Sequence, residues 1–150
     1  MSNPKPNFEY PQGFYSNYHS QKPICGVLAT AIASGVIYDV AHEACKKAMA
    51  DLYPKRQRFG GKTTTAQREL AMTRLGVKFE RTNIVAKKPK LIDAVKDFEP
   101  GIIYLVVTPK HISAILDGYL IDQNRLQRIE LVSFASKRVS EITKITGKGW

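Results

Sequence analysis

The run Ile102-Ile103-Tyr104-Leu105-Val106-Val107-Thr108, followed after Pro109-Lys110 by His111-Ile112-Ser113-Ala114-Ile115-Leu116-Asp117-Gly118-Tyr119-Leu120-Ile121, decides the fold class. Its first part is continuously apolar and fits a strand buried on both faces. Asp117-Gly118 between Ile112–Leu116 and Tyr119–Ile121 is a strong signal for a two-residue hairpin turn. With that loop length, partners across the hairpin have residue numbers summing to 235. His111 then faces Asn124, Ser113 faces Asp122 and Ile115 faces Leu120, and strand alternation puts His111, Ser113, Asp122 and Asn124 on one side. Further strands are predicted around Ile129 to Phe134 and Val139 to Ile145.

Toward the N-terminus the pattern changes to helices. Cys25-Gly26-Val27-Leu28-Ala29-Thr30-Ala31-Ile32-Ala33-Ser34 is small and apolar on nearly every face, which predicts a helix buried at the centre of a domain, stopped by Gly35. Asp39 is expected to cap a second helix that Pro54 ends. Thr64 and Gln67 have the spacing of a capping box, opening a third helix that closes at Gly76. A short strand over Val77 to Thr82 and a short helix over Lys90 to Phe98 follow, then a break at Pro100-Gly101. Helices first and an antiparallel sheet after them make the chain α+β. Residues 1–24, with Pro, Asn and several aromatics but no periodicity, are expected to form an extended arm, and residues 25–150 a single domain.

The chain has 150 residues, enough for a real hydrophobic core without disulfide staples. Two cysteines cannot build a disulfide framework or a four-thiolate zinc site. No apolar run approaches the roughly 18 residues that cross a bilayer, and the start of the chain lacks the apolar core of a signal peptide. A cytoplasmic protein with no membrane partner is the expectation. The 23 Lys and Arg against 13 Asp and Glu leave a net charge of +10. Residues 46–90 hold thirteen of those bases and only three acids. Such a field attracts nucleic acid or an acidic protein, with Lys55, Arg56, Arg58 and Lys62 as candidate polyanion contacts around Phe59. A solvated basic surface would have the same composition.

The chemistry-bearing pattern is a combination. Cys25 opens the central helix, where unpaired N–H groups and the helix dipole favour the thiolate. His111 begins a strand, and Asp122 or Asn124 lies across the hairpin, where either would hold the imidazole in one tautomer. Gly26 lets a substrate approach the backbone, and Gln21, four residues before Cys25, is placed to add an oxyanion donor. Cys45, mid-helix beside Lys46 and Lys47, reads as structural. His42-x-x-Cys45 is the one tight metal-ligand pair, and structural zinc wants four ligands, so no cofactor is expected. Gly60-Gly61-Lys62-Thr63-Thr64 lacks the glycine and the preceding strand of a phosphate loop, with Arg at position 56.

These residues, with Gly35, Tyr38, Gly61-Lys62-Thr63-Thr64, Gly101-Ile102-Ile103-Tyr104 and Asp117-Gly118, resemble the papain-like cysteine peptidases in their small phage and bacterial form. The resemblance implies a papain-like fold and a thiol peptidase or related amide hydrolase acting on a protein or peptide substrate. It makes Cys25 the nucleophile, His111 the general base and Asp122 or Asn124 the orienting group. It also implies an alternative, a catalytically inactive relative serving as a structural or accessory component, virion-borne or bound to nucleic acid, whose 1–24 arm grips assembly neighbours. The corresponding location is the host cytoplasm or the virion.

Overall fold

The computed structural model describes residues 25–56, 58–59, 62–83, 88–109, 111–121 and 126–147. The chain divides into two compact units, a helical one whose described part is residues 25–78 with Gly147 and a sheet one over 79–146. The α+β class expected from the order of elements is the one observed.

In the helical unit, α1 (Cys25–Ser34) is buried from Gly26 to Ser34, as its uniformly apolar surface requires, and Gly35 ends it with φ +69°. α2 (Tyr38–Leu52) buries a stripe of Tyr38, Ala41, Cys45, Ala48 and Met49, the spacing of one helical face. Asp39 does not cap it. Ile37 holds the cap position without a side-chain hydrogen bond, and Asp39 lies in the first turn, where the helix dipole favours an acidic residue. α3 (Thr65–Arg74) opens on the predicted capping box: Gln67 N donates to Thr64 Oγ1 (3.1 Å) and Thr64 N donates to Gln67 Oε1 (3.3 Å). Gly76, at φ +85°, stops it, and Val77 N donates back to Met72 O.

The three helices pack on one another and share a thread of buried polar groups. Thr30 Oγ1 donates to Gly26 O within α1, Cys45 Sγ donates to Thr30 Oγ1 (3.9 Å), and Gln67 Nε2 donates to Cys45 O (2.8 Å). Each buried polar atom in this thread is thereby paired, which offsets the cost of removing it from water.

The described residues form a sheet of six strands, which apart from Lys78 and Gly147 belongs to the sheet unit: β1 (Lys78–Asn83), β2 (Ile103–Thr108), β3 (His111–Leu116), β4 (Tyr119–Ile121), β5 (Leu126–Arg128) and β6 (Glu141–Gly147), in the order β1-β6-β2-β3-β4-β5. β3 and β4 pair Ala114 with Ile121, Ile115 with Leu120 and Leu116 with Tyr119, the register summing to 235. Asp117 (φ +52°) and Gly118 (φ +80°) are both left-handed, as a two-residue turn matched to strand twist demands. β2 runs antiparallel to β3 on one side and to β6 on the other.

Tyr104, Val106 and Ile115 form a core with Leu91 and Ala94 of α4 (Leu91–Ala94) and with Ile129, Val132 and Val139. A 3-10 turn, Val95–Asp97, continues α4, and Phe98 stacks on Tyr104 at 3.9 Å. The segment from Ile129 to Phe134 is not a strand. Ile129–Leu131 is a 3-10 turn, with Ile129 and Val132 buried three residues apart and Leu131 68% exposed. A three-residue spacing of buried side chains suits that turn and defeats strand alternation. No single described helix is long and apolar enough to cross a membrane.

Candidate functional site

Cys25 is the first residue of α1, a free thiol, and the one position of that helix that is not buried. The residue after it has no room for a side chain, because a Cβ at Gly26 would overlap Thr63 Oγ1. Close backbone approach is therefore used at this glycine by a packed neighbour, Thr63. Arg68 holds Thr63 in place. Its guanidinium donates from one nitrogen to Thr63 O (3.0 Å) and Thr63 Oγ1 (2.8 Å), and from another to Thr65 Oγ1 (3.0 Å). Arg68 is 6% exposed, so it belongs to the interior and leaves the surface field in which the composition counts it. Only the three-dimensional packing distinguishes it from the other bases of residues 46–90.

Cys45 is fully buried, and burial pushes its thiol up from 9.0 to about 11 against smaller opposing effects of the Thr30 hydrogen bond and the Arg68 charge. A thiol so held stays protonated at neutral pH and is a poor nucleophile. The structural role expected for it matches its hydrogen bond to α1.

His111 opens β3 and is exposed. It pairs across the ladder with Thr108, and β3 lies between β2 and β4, so His111 is on an interior strand. Alternation places His111, Ser113 and Ile115 on one face, the face of the core that contains Tyr104 and Val106. The imidazole stacks on Phe134, with ring centroids 4.6 Å apart and an interplanar angle of 14°. Phe134 is the residue that sequence spacing does not reveal, since it reaches His111 from a distant turn. Thr108 is 2% exposed, and its Oγ1 has no hydrogen-bond partner among the described residues.

Cys25 lies in the helical unit and His111 in the sheet unit. Gln21, Asp122 and Asn124, with the whole 1–24 arm, fall outside the described residues. Lys55, Arg56, Arg58 and Lys62 are all exposed in the connection between α2 and α3. A separate groove of about 560 Å³ in the sheet unit runs between the Ile92–Phe98 segment and the Asp117-Gly118 turn, at the end of β3 opposite His111. Its charges are largely occupied: Lys96 pairs with Asp93, Arg128 with Glu130, and Asp117 accepts from Gly101 N. Among the described residues no group of three or more His, Cys, Asp or Glu gathers as a metal site would need. Comparison with protein-family models, curated proteins and solved structures gives no match to the chain.

Proposed function

We propose that the chain is a thiol-dependent amide hydrolase of papain-like type, with Cys25 as nucleophile and His111 as general base. The observation that carries this reading is the contrast between the two thiols. Cys25 is free and partly exposed at the first turn of an otherwise buried helix, whereas Cys45 is sealed and held protonated. A partly exposed thiol at a helix start is one that a substrate carbonyl can reach, which the sealed Cys45 is not. The Phe134 stack supports the role of His111 by fixing the plane of an exposed imidazole.

In that mechanism His111 takes the Cys25 proton, and the sulfur attacks the carbonyl carbon of a peptide or related amide. Backbone N–H groups at the start of α1 stabilise the oxyanion. The C–N bond breaks as His111 returns the proton to the leaving amine, and water then cleaves the thioester to release the acid and restore the thiol. Asp122 or Asn124 is the candidate to orient His111, and Gln21 to add an oxyanion donor. A role in a phage or bacterial cell belongs to the same reading.

The test is the pH dependence of Cys25 alkylation by iodoacetamide in a Cys45→Ala background, with and without His111→Ala. Rapid alkylation well below pH 8 that is lost without His111 is the expected result. Slow alkylation indifferent to His111 would overturn the hydrolase and leave the inactive, accessory relative as the better reading.

A further inference from the structure

We propose that Lys55, Arg56, Arg58 and Lys62, which lie between α2 and α3, bind the phosphate backbone of nucleic acid. Residues 53–63 contain no acid and expose Lys55, Arg56, Arg58 and Lys62. None of these four makes an ion pair among the described residues. Some other bases do: Arg74 with Asp51, Lys96 with Asp93, Arg128 with Glu130, and the half-buried Lys144 with Glu99. Four bases without an ion pair thus lie within eight residues, with no acid between them.

The segment is also anchored. At its start the Tyr53 hydroxyl hydrogen-bonds Thr64 Oγ1 (2.9 Å), joining the end of α2 to the cap of α3. Arg56 N donates to Tyr53 O (2.9 Å), and the Arg56 guanidinium lies 4.9 Å over the Tyr53 ring. Further on, Phe59 packs on His42 in α2, with centroids 4.9 Å apart. Phe59 thereby packs on the face of α2 that carries His42. Exposed Lys46 lies on the same face. Anchoring lowers the ordering cost of binding.

Phosphate is the ligand that suits this surface better than carboxylates on a protein. Two guanidinium forks match phosphate oxygens in paired fashion, and one of them lies over the Tyr53 ring. Both aromatic rings are already engaged, so the surface offers no platform for reading bases. Recognition is therefore independent of sequence and steeply dependent on salt. This site does not depend on the hydrolase reading, for it involves neither Cys25 nor His111.

The experiment measures binding of a labelled, mixed-sequence DNA duplex to the intact chain by fluorescence anisotropy at several salt concentrations. With four phosphates engaged, log K falls against log salt with a slope of about −3 to −4, making binding roughly 100-fold weaker at 200 mM than at 50 mM. Replacing Lys55, Arg56, Arg58 and Lys62 by Gln weakens binding at 50 mM by about tenfold or more and flattens the slope. All four side chains are exposed, so the variant keeps its fold. A second variant, with Lys88, Lys96, Arg128 and Lys137 replaced by Gln, removes the same charge from the sheet unit and keeps near-full affinity. A single strand of the same sequence binds through the same four residues with a shallower slope. The proposal fails if the duplex does not bind at 50 mM salt, if the second variant loses as much as the first, or if polyglutamate of matched charge competes as well as DNA.

Discussion

Thr63 rests on the Cα of Gly26 so closely that no side chain fits at position 26. A residue that adjoins a candidate nucleophile is thereby set by the packing of one unit's interior. Gly26→Ala is expected to destabilise the chain by about 1 to 3 kcal/mol through overpacking. Urea denaturation measures this, and Thr63→Ala in the same chain is expected to recover part of the loss, giving a non-zero coupling in a double-mutant cycle.

Arg68→Lys is expected to be far from conservative. A single ammonium cannot reproduce two guanidinium nitrogens bonded to Thr63 O, Thr63 Oγ1 and Thr65 Oγ1. Leaving one of these acceptors unpaired costs about 1 to 3 kcal/mol, read from the shift in the urea midpoint. A variant as stable as the parent would show that these bonds contribute nothing net.

Cys45 makes stability fall at high pH. Its folded-state value of about 11 lies above the ordinary 9.0, so between those limits the folded chain keeps a proton that the unfolded chain loses. The proton excess in the folded state means stability declines as pH rises, by about 2 to 3 kcal/mol once both limits are passed. Lysines and tyrosines titrate in the same range, so the quantity to measure is the difference between the parent and Cys45→Ala at pH 8 and pH 11. An equal pH dependence in the two proteins would contradict the burial argument.

Glu99 is expected to titrate below the usual carboxylate range, because Lys144 hydrogen-bonds it and adds its charge, with a smaller contribution from Tyr104. The lowered folded-state value supplies stability that is present above pH 4.5 and is lost as pH falls through the folded value. Carbon-13 NMR titration of the Glu99 carboxyl checks the shift, which Lys144→Gln should largely abolish. Glu99 is exposed and Lys144 partly so, and solvent screening keeps the accompanying change in stability small.

The parts of the fold written in short-range chemistry are legible in the sequence. Asp117-Gly118 sets loop length and turn handedness together, and the β3–β4 register follows from them. Thr64 and Gln67 announce the start of α3 because the two bonds of a capping box lie within one turn. The uniformly apolar α1 can exist only when buried. Features that depend on distant partners are not legible. Arg68 is indistinguishable from surface bases until Thr63 and Thr65 are placed around it, and Phe134 gains meaning only when its turn brings it over His111. The strand expected over Ile129 to Phe134 fails for a related reason, since a tertiary core selects Ile129 and Val132 and leaves Leu131 outside.

The sheet order carries a consequence for synthesis. Among the described strands, β6 is the last in sequence and lies between β1 and β2, and β1 has no neighbour other than β6. A nascent chain that has emerged as far as β5 can already close the β2–β3–β4–β5 meander through local turns. It then carries an open, apolar β2 edge and an orphaned β1 until β6 leaves the ribosome. That interval is when the chain is most exposed to edge-to-edge association with another molecule, and delivery of Glu141–Gly147 ends it.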